Sequence, residues 1–369
     1  MKKYINNLCV LCLLCVLSVA CSGDYDDWAQ PQHNEQETAD DVQMTVEVEA
    51  MPNIIDIEAL AEEDLVQIFV PVKVESNVEA QYVLTLSDEK GNSRDFKLLD
   101  DCYVYKEDLV QMINDFYGKK QVERVMNGVL TAEFSQNGST VKSSSEKFLV
   151  RILPAVPEMN YWIYGKQNNR DANAKTLPLM PLSKENQTVT TYFSGKLDTK
   201  MWSDDTFGNT ADAYGATGGN KTDWTNEFSV GGGYICPPSA GWYTLSFNFA
   251  SYQYTFTKLD NQEPTEYASI SLIGDFNEWK SDVTMSQVAV TGDAWKSHCW
   301  YALGVDLQKE GGVKFRADYD WAANWGVSQD VKDNPYGVGK QDAPNINVPA
   351  GTYNIYFNDI TGEFLFIVQ

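Results

Sequence analysis

Three tryptophans near the end of the chain stand in polar surroundings that give a core little use for them. Trp279 follows the turn Gly274-Asp275-Phe276-Asn277, and Trp321 and Trp325 belong to the polar stretch Asp318 to Gln329, with Asn324 between them. Just upstream, Val313 to Ala317 alternates in character. As a strand it would send Val313 and Phe315 inward and hold Lys314 and Arg316 on the opposite face. Aromatic planes beside cations and an amide can hold a sugar ring. The plane takes the apolar C–H face, and the polar groups bond the hydroxyl rim, with charge-assisted bonds roughly twice as strong as neutral ones. A few well-placed polar groups are enough for such a site. We therefore expect Trp279, Lys314, Arg316, Trp321, Asn324 and Trp325 to form a carbohydrate site. Lys200, Trp202 and Trp224 are the analogous residues for a second site further upstream. Trp300, in the apolar stretch Cys299 to Leu303, is assigned to packing, as are Trp242 and Trp295.

Other chemistries find less support. The chain has two histidines, His33 and His298, no HxxxH spacing, and no CxxC spacing beyond residue 15, so no metal site or cofactor is expected. No G-x-S-x-G motif occurs, and His298 lies beside Cys299 in an apolar run, as a packed histidine would. Gly231-Gly232-Gly233 leads into the strand-like Tyr234-Ile235 and not into a helix, which argues against a phosphate loop. A surface glycoside hydrolase remains the competing class. It needs two carboxylates, one with a raised pKa, and among 52 acidic residues such pairs arise by chance. With each segment the size of one binding module, no stretch is left for a separate catalytic domain, so no enzyme is expected. A third reading is a structural or adhesive surface protein whose modules hold no ligand.

The elements that must position these residues are strands. Period-two alternation marks Met44 to Ala50, Val66 to Val74, Tyr82 to Leu86, Gly128 to Phe134 and Lys147 to Ile152. One helix is expected over Lys106 to Tyr117, with apolar residues at 109, 112, 113 and 116 and Gly118 placed to stop it. Pro154 and Pro157 then close a first domain, 43–155. The remainder repeats. Gly241-Trp242-Tyr243-Thr244-Leu245-Ser246-Phe247-Asn248 is echoed by Gly351-Thr352-Tyr353-Asn354-Ile355-Tyr356-Phe357-Asn358, and Tyr161 to Gly165 by Ile270 to Gly274. Two units, 156–260 and 267–369, follow, each the size of a β-sandwich. The expected fold is all-β: three sandwiches in a row.

The chain opens with Lys2 and Lys3 followed by the apolar run Leu8 to Ala20. That run falls short of the roughly 20 residues that span a bilayer, so 1–20 is expected to be a cleaved signal peptide. Leu17-Ser18-Val19-Ala20-Cys21 resembles the bacterial lipobox, which makes Cys21 the lipidated residue and a lipid anchor the means of membrane attachment. The acidic stretch after it resembles the surface-export signal of Bacteroidetes lipoproteins, and 21–42 reads as a flexible tether. Cys9, Cys12 and Cys15 leave with the leader. The remaining Cys102, Cys236 and Cys299 are odd in number and far apart, so no disulfide framework is expected. The net charge of −24 becomes two units more negative once Lys2 and Lys3 are removed. Such a surface repels phosphates and makes nucleic acid a poor partner.

The order of motifs in the last unit, Gly274-Asp275-Phe276-Asn277-Glu278-Trp279, then Lys314-Phe315-Arg316-Ala317 through Asp320-Trp321 to Asn324-Trp325-Gly326, then Asn345 to Tyr353, resembles the carbohydrate-binding modules of SusE and SusF. Those are surface lipoproteins of the Bacteroides starch-utilisation system. The first sandwich, with its small helix, is similar to the immunoglobulin-like domain at the SusE N-terminus. The middle unit departs from the pattern, with Tyr164-Gly165-Lys166-Gln167-Asn168 in place of the first motif. The resemblance implies a non-catalytic glycan-binding lipoprotein on the exterior face of the outer membrane. Its partners would be an oligosaccharide or polysaccharide of the starch type and an outer-membrane importer complex.

Overall fold

The computed structural model describes residues 42–369, apart from 61–62, 100–101, 137, 157, 261–262 and 291–294. The leader, Cys21 and the tether as far as residue 41 lie outside the described residues. Strands dominate, and the architecture is an all-β sandwich fold. Two compact units are present.

The first unit contains Phe69–Tyr103 and Asn127–Leu149 together with the strand Met44–Ala50. That strand pairs antiparallel with Phe69–Ser76, from Met44 opposite Ser76 to Ala50 opposite Phe69. Gln81–Ser87 pairs on one side with Ser93–Lys97 and on the other with the long strand Arg124–Gln136. Leu84, Leu86, Phe96 and Leu130 alternate inward and are buried. The turn before Ser93–Lys97 is closed by Asp88, whose carboxylate accepts the Lys90 and Asn92 amides.

The second unit comprises Met51–Ile68, Val104–Met126 and Val150–Gln369. Its helix runs Lys106–Tyr117, buries Leu109, Met112 and Ile113, and stops at Gly118, whose φ of 74° an L side chain would strain to adopt. Among the described residues no helix is long and apolar enough to cross a membrane.

The two repeats form sandwiches within this unit. In the earlier one, a sheet path runs from Met180–Pro181 through Asn186–Phe193, Gly241–Asn248 and Gln253–Lys258 to Thr199–Ser203, which also pairs with Tyr161–Gly165. In the later one, one sheet is built on Ile270–Gly274, Gly311–Ala317 and Asn324–Gly326. The facing sheet is built on Cys299–Leu307, Gly351–Asn358 and Glu363–Val368. Its core stacks Phe315 on Phe357 at 4.3 Å.

The two sandwiches are welded to each other. Trp162 sets its edge against Tyr356 at 5.6 Å, in a buried cluster with Met180 and Leu365. Polar bonds cross as well. Thr191 donates to the Ser297 carbonyl (2.9 Å), Asn358 Nδ2 to the Thr190 carbonyl (2.7 Å), Tyr356 OH to the Lys175 carbonyl (2.9 Å) and Thr188 to Glu363 (2.7 Å). Cys102, Cys236 and Cys299 are free and buried.

Candidate functional site

The last sandwich assembles its polar face from a turn, a strand and a loop. The turn Asp275–Asn277 follows Ile270–Gly274 directly. Asn277 Oδ1 accepts the Gly274 amide, the Trp279 amide returns to the Gly274 carbonyl at 2.9 Å, and Glu278 and Trp279 take left-handed φ values of 56° and 58°. Trp279 is thereby lifted out of the strand. Asp275 fixes its ring by accepting Trp279 Nε1 at 2.8 Å while also taking the Gly312 amide at 2.6 Å. Those two donors hold the Asp275 carboxyl below the usual carboxylate range.

On Gly311–Ala317, Val313, Phe315 and Ala317 are core, and Lys314 and Arg316 face out, opposite Ile273 and Ser271. Arg316 makes a two-point bond to Asp282, at 2.8 Å and 2.5 Å, with both side chains nine-tenths buried; Asp282 also accepts Ser271 Oγ. The pair pushes the Asp282 carboxyl down and the guanidinium up. Arg316 Cζ lies 4.7 Å from the centre of the Trp321 ring, a cation–π contact. Trp321 is 45 % exposed, and its ring centre is 5.9 Å from that of Trp279 at a 42° tilt. Tyr319, equally exposed, reaches Thr284 by a hydroxyl–hydroxyl bond of 3.0 Å.

The expected site residues therefore separate. Trp279, Arg316 and Trp321 come together at the surface. Lys314 sits beside them, its Nζ bonded to Asn324 Oδ1 at 2.7 Å. Asn324 itself is buried and serves the loop, donating to the Trp321 carbonyl and to Asp342. Trp325 does not join the surface cluster. It lies in the strand Asn324–Gly326 with its ring turned into the core against Phe357 (5.2 Å) and Tyr267 (5.6 Å). Asp275, Asp282 and Tyr319 were missed as site residues. The first two stand next to the tryptophan turn, where a carboxylate could be suspected of holding a ring or a cation.

In the earlier sandwich, Lys200, Trp202 and Trp224 do not form one surface. Trp202 is fully buried under Tyr164 (4.4 Å) and Phe207 (5.3 Å), with Nε1 donated to the Asn209 carbonyl. Trp224 is exposed but packs on Tyr243 at 5.7 Å. Lys200 stands over Tyr234 at 5.3 Å. A groove of about 630 Å³ is a different feature. It is bordered by Glu158, Lys184, Asp204, Asp333, Tyr336 and Val368, and no tryptophan lines it.

Among the described residues no group of three or more His, Cys, Asp or Glu is placed to hold a metal ion. The paired indoles can take the C–H faces of a cyclic polyol, and Lys314 and Arg316 can donate to its rim.

Residues 21–154 match the profile of the N-terminal domain of outer membrane protein SusF. Outer membrane protein SusF of Bacteroides thetaiotaomicron is 25% identical over 381 aligned positions, which cover 92% of this chain and 73% of that protein. The chain is therefore similar to SusF over most of its length, and over 21–154 to the SusF N-terminal domain.

Proposed function

We propose that this protein is a non-catalytic glycan receptor, held on the exterior face of the outer membrane by a lipid on Cys21. It captures polysaccharide, best an α-glucan of the starch type, for an importer in the same membrane. Residues 1–20 are the leader, 21–42 the tether, 43–155 an immunoglobulin-like spacer, and 156–260 and 267–369 the modules beyond it. The observation that carries this reading is the pair of half-buried Trp279 and exposed Trp321, backed by an Arg316 that Asp282 immobilises. Two indoles tilted by 42° form a shallow arch, a shape that suits the curve of an α-glucan helix. A clamped guanidinium loses little freedom when it bonds a hydroxyl, which favours affinity. Hydrolysis by Asp275 and Asp282 is disfavoured, because both are held low by their donors, whereas a general acid needs a raised pKa.

Calorimetry of the mature chain against maltooligosaccharides, with affinity gels carrying a panel of polysaccharides, tests the reading. Trp321→Ala should weaken α-glucan binding at least about tenfold, since removing a central aromatic anchor typically costs 2 kcal/mol or more. Unchanged affinity in that variant overturns the site. Failure of every neutral glucan to bind the intact chain overturns the function.

A further inference from the structure

The earlier sandwich keeps the backbone frame of the site but carries different groups on it. Its turn repeats the backbone hydrogen bonds of the later one. Asn168 Oδ1 accepts the Gly165 amide, the Arg170 amide returns to the Gly165 carbonyl at 2.7 Å, and Asn169 and Arg170 have φ of 57° and 54°. Arg170 thus occupies the place of Trp279. On the neighbouring strand Lys200 lies opposite Tyr164 as Lys314 lies opposite Ile273, so the two lysines are equivalent. Where the later sandwich shows an indole arch, this one shows two cations against one ring. Arg170 Cζ and Lys200 Nζ each lie 5.3 Å from the centre of the Tyr234 ring.

The charge here is unanswered. In the later sandwich Asp282 neutralises Arg316. Among the described residues neither Arg170 nor Lys200 has a carboxylate partner, and the polar bond described for the guanidinium goes to the Leu197 carbonyl at 2.9 Å. Asp198, two residues before Lys200, is buried and accepts from Ser194 Oγ and from the Lys196 amide. A chain of net charge −24 has carboxylates in excess, yet two cations share one ring without one. Gathering like charges is unfavourable unless an anion completes the site.

We propose that this corner binds an acidic saccharide, with the carboxylate of a uronic-acid unit held between Arg170 and Lys200. The guanidinium fork matches a carboxylate at two points, and Tyr234 keeps the cations in place. The proposal rests on the reading of the chain as a glycan receptor and extends it from neutral to acidic units.

The test uses the mature chain carrying Trp321→Ala, which silences the later site, titrated with oligogalacturonate and, separately, with maltooligosaccharide. Oligogalacturonate should bind this variant as it binds the parent. Adding Arg170→Gln or Lys200→Gln should weaken it at least about tenfold, the loss expected for one charge-assisted contact, and Arg170→Lys should restore part of it. Raising sodium chloride to about 0.5 M should weaken it too, through screening. Unchanged melting temperatures separate loss of binding from loss of fold. Absence of oligogalacturonate binding by the parent, or indifference to both glutamine variants, overturns the proposal. Failure of the neutral-glucan site would show instead as maltooligosaccharide affinity untouched by Trp321→Ala.

Discussion

Three residues separate Trp321 from Trp325, and the edge of the strand Asn324–Gly326 falls between them. Trp321 belongs to the loop and lies over Arg316 with much of its ring in water; Trp325 belongs to the strand and is 9% exposed. The two indoles therefore answer to different measurements. Trp325→Ala removes a ring packed on Phe357 and Tyr267 and should lower stability by about 3–5 kcal/mol, the usual range for emptying a large aromatic site. Trp321→Ala should cost about 1 kcal/mol or less, mostly the cation–π contact, while abolishing most of the glycan affinity. Denaturant midpoints, measured alongside calorimetric titration, would expose the contrast. Equal destabilisation by the two variants would contradict the placement of their rings.

At the scale of elements, the site depends on how closely the turn Asp275–Asn277 approaches the strand Gly311–Ala317. A Cβ at Gly311 would lie 2.4 Å from Asp275 Cβ, a distance no real pair of carbons tolerates. Gly311→Ala must then push the turn outward, breaking the Asp275 bond to the Gly312 amide and moving Trp279. Overpacking of this kind costs about 1–3 kcal/mol, and glucan affinity should fall with it while Trp321 stays in place. Intact affinity in a folded Gly311→Ala protein would separate Trp279 from the site. The strands themselves were legible in the sequence, because alternation is a local signal. Val313 to Ala317 and Met44 to Ala50 lie where their periodicity puts them, and the helix ends at the glycine that marks it. Lys314 and Arg316 were placed on the outer face for the same reason. Trp325 and Trp202 were not legible, because their burial depends on partners distant in sequence, such as Phe357 for one and Tyr164 for the other. The equivalence of Arg170 with Trp279 was hidden too. It lies in matching hydrogen bonds and left-handed φ values, which Gly165-Lys166-Gln167-Asn168-Asn169-Arg170 shares with Gly274-Asp275-Phe276-Asn277-Glu278-Trp279 despite few shared letters.

At the scale of the molecule, the weld between the two sandwiches fixes the arch and the cationic corner on one body. Glu363 is its most exposed point to pH. It is buried where Gly351–Asn358 turns into Glu363–Val368 and accepts hydroxyl bonds from Thr188 of the earlier sandwich and from Thr361. Burial raises its pKa above the ordinary glutamate value of 4.5, and the two hydroxyls offset only part of that. The unfolded chain therefore releases this proton at a lower pH than the folded one. Between the two pKa values the unfolded state binds fewer protons, so stability falls as pH rises through that window and stays lower above it. Glu363→Gln keeps the shape and can still accept from Thr188, yet has no charge to bury. Thermal unfolding of the variant should show a higher midpoint than the parent near pH 7, with the gap shrinking toward pH 4, where the parent's carboxyl is protonated in both states. A constant gap across that range would mean that Glu363 does not titrate inside the weld, and a lower midpoint at neutral pH would mean that its charge is answered there.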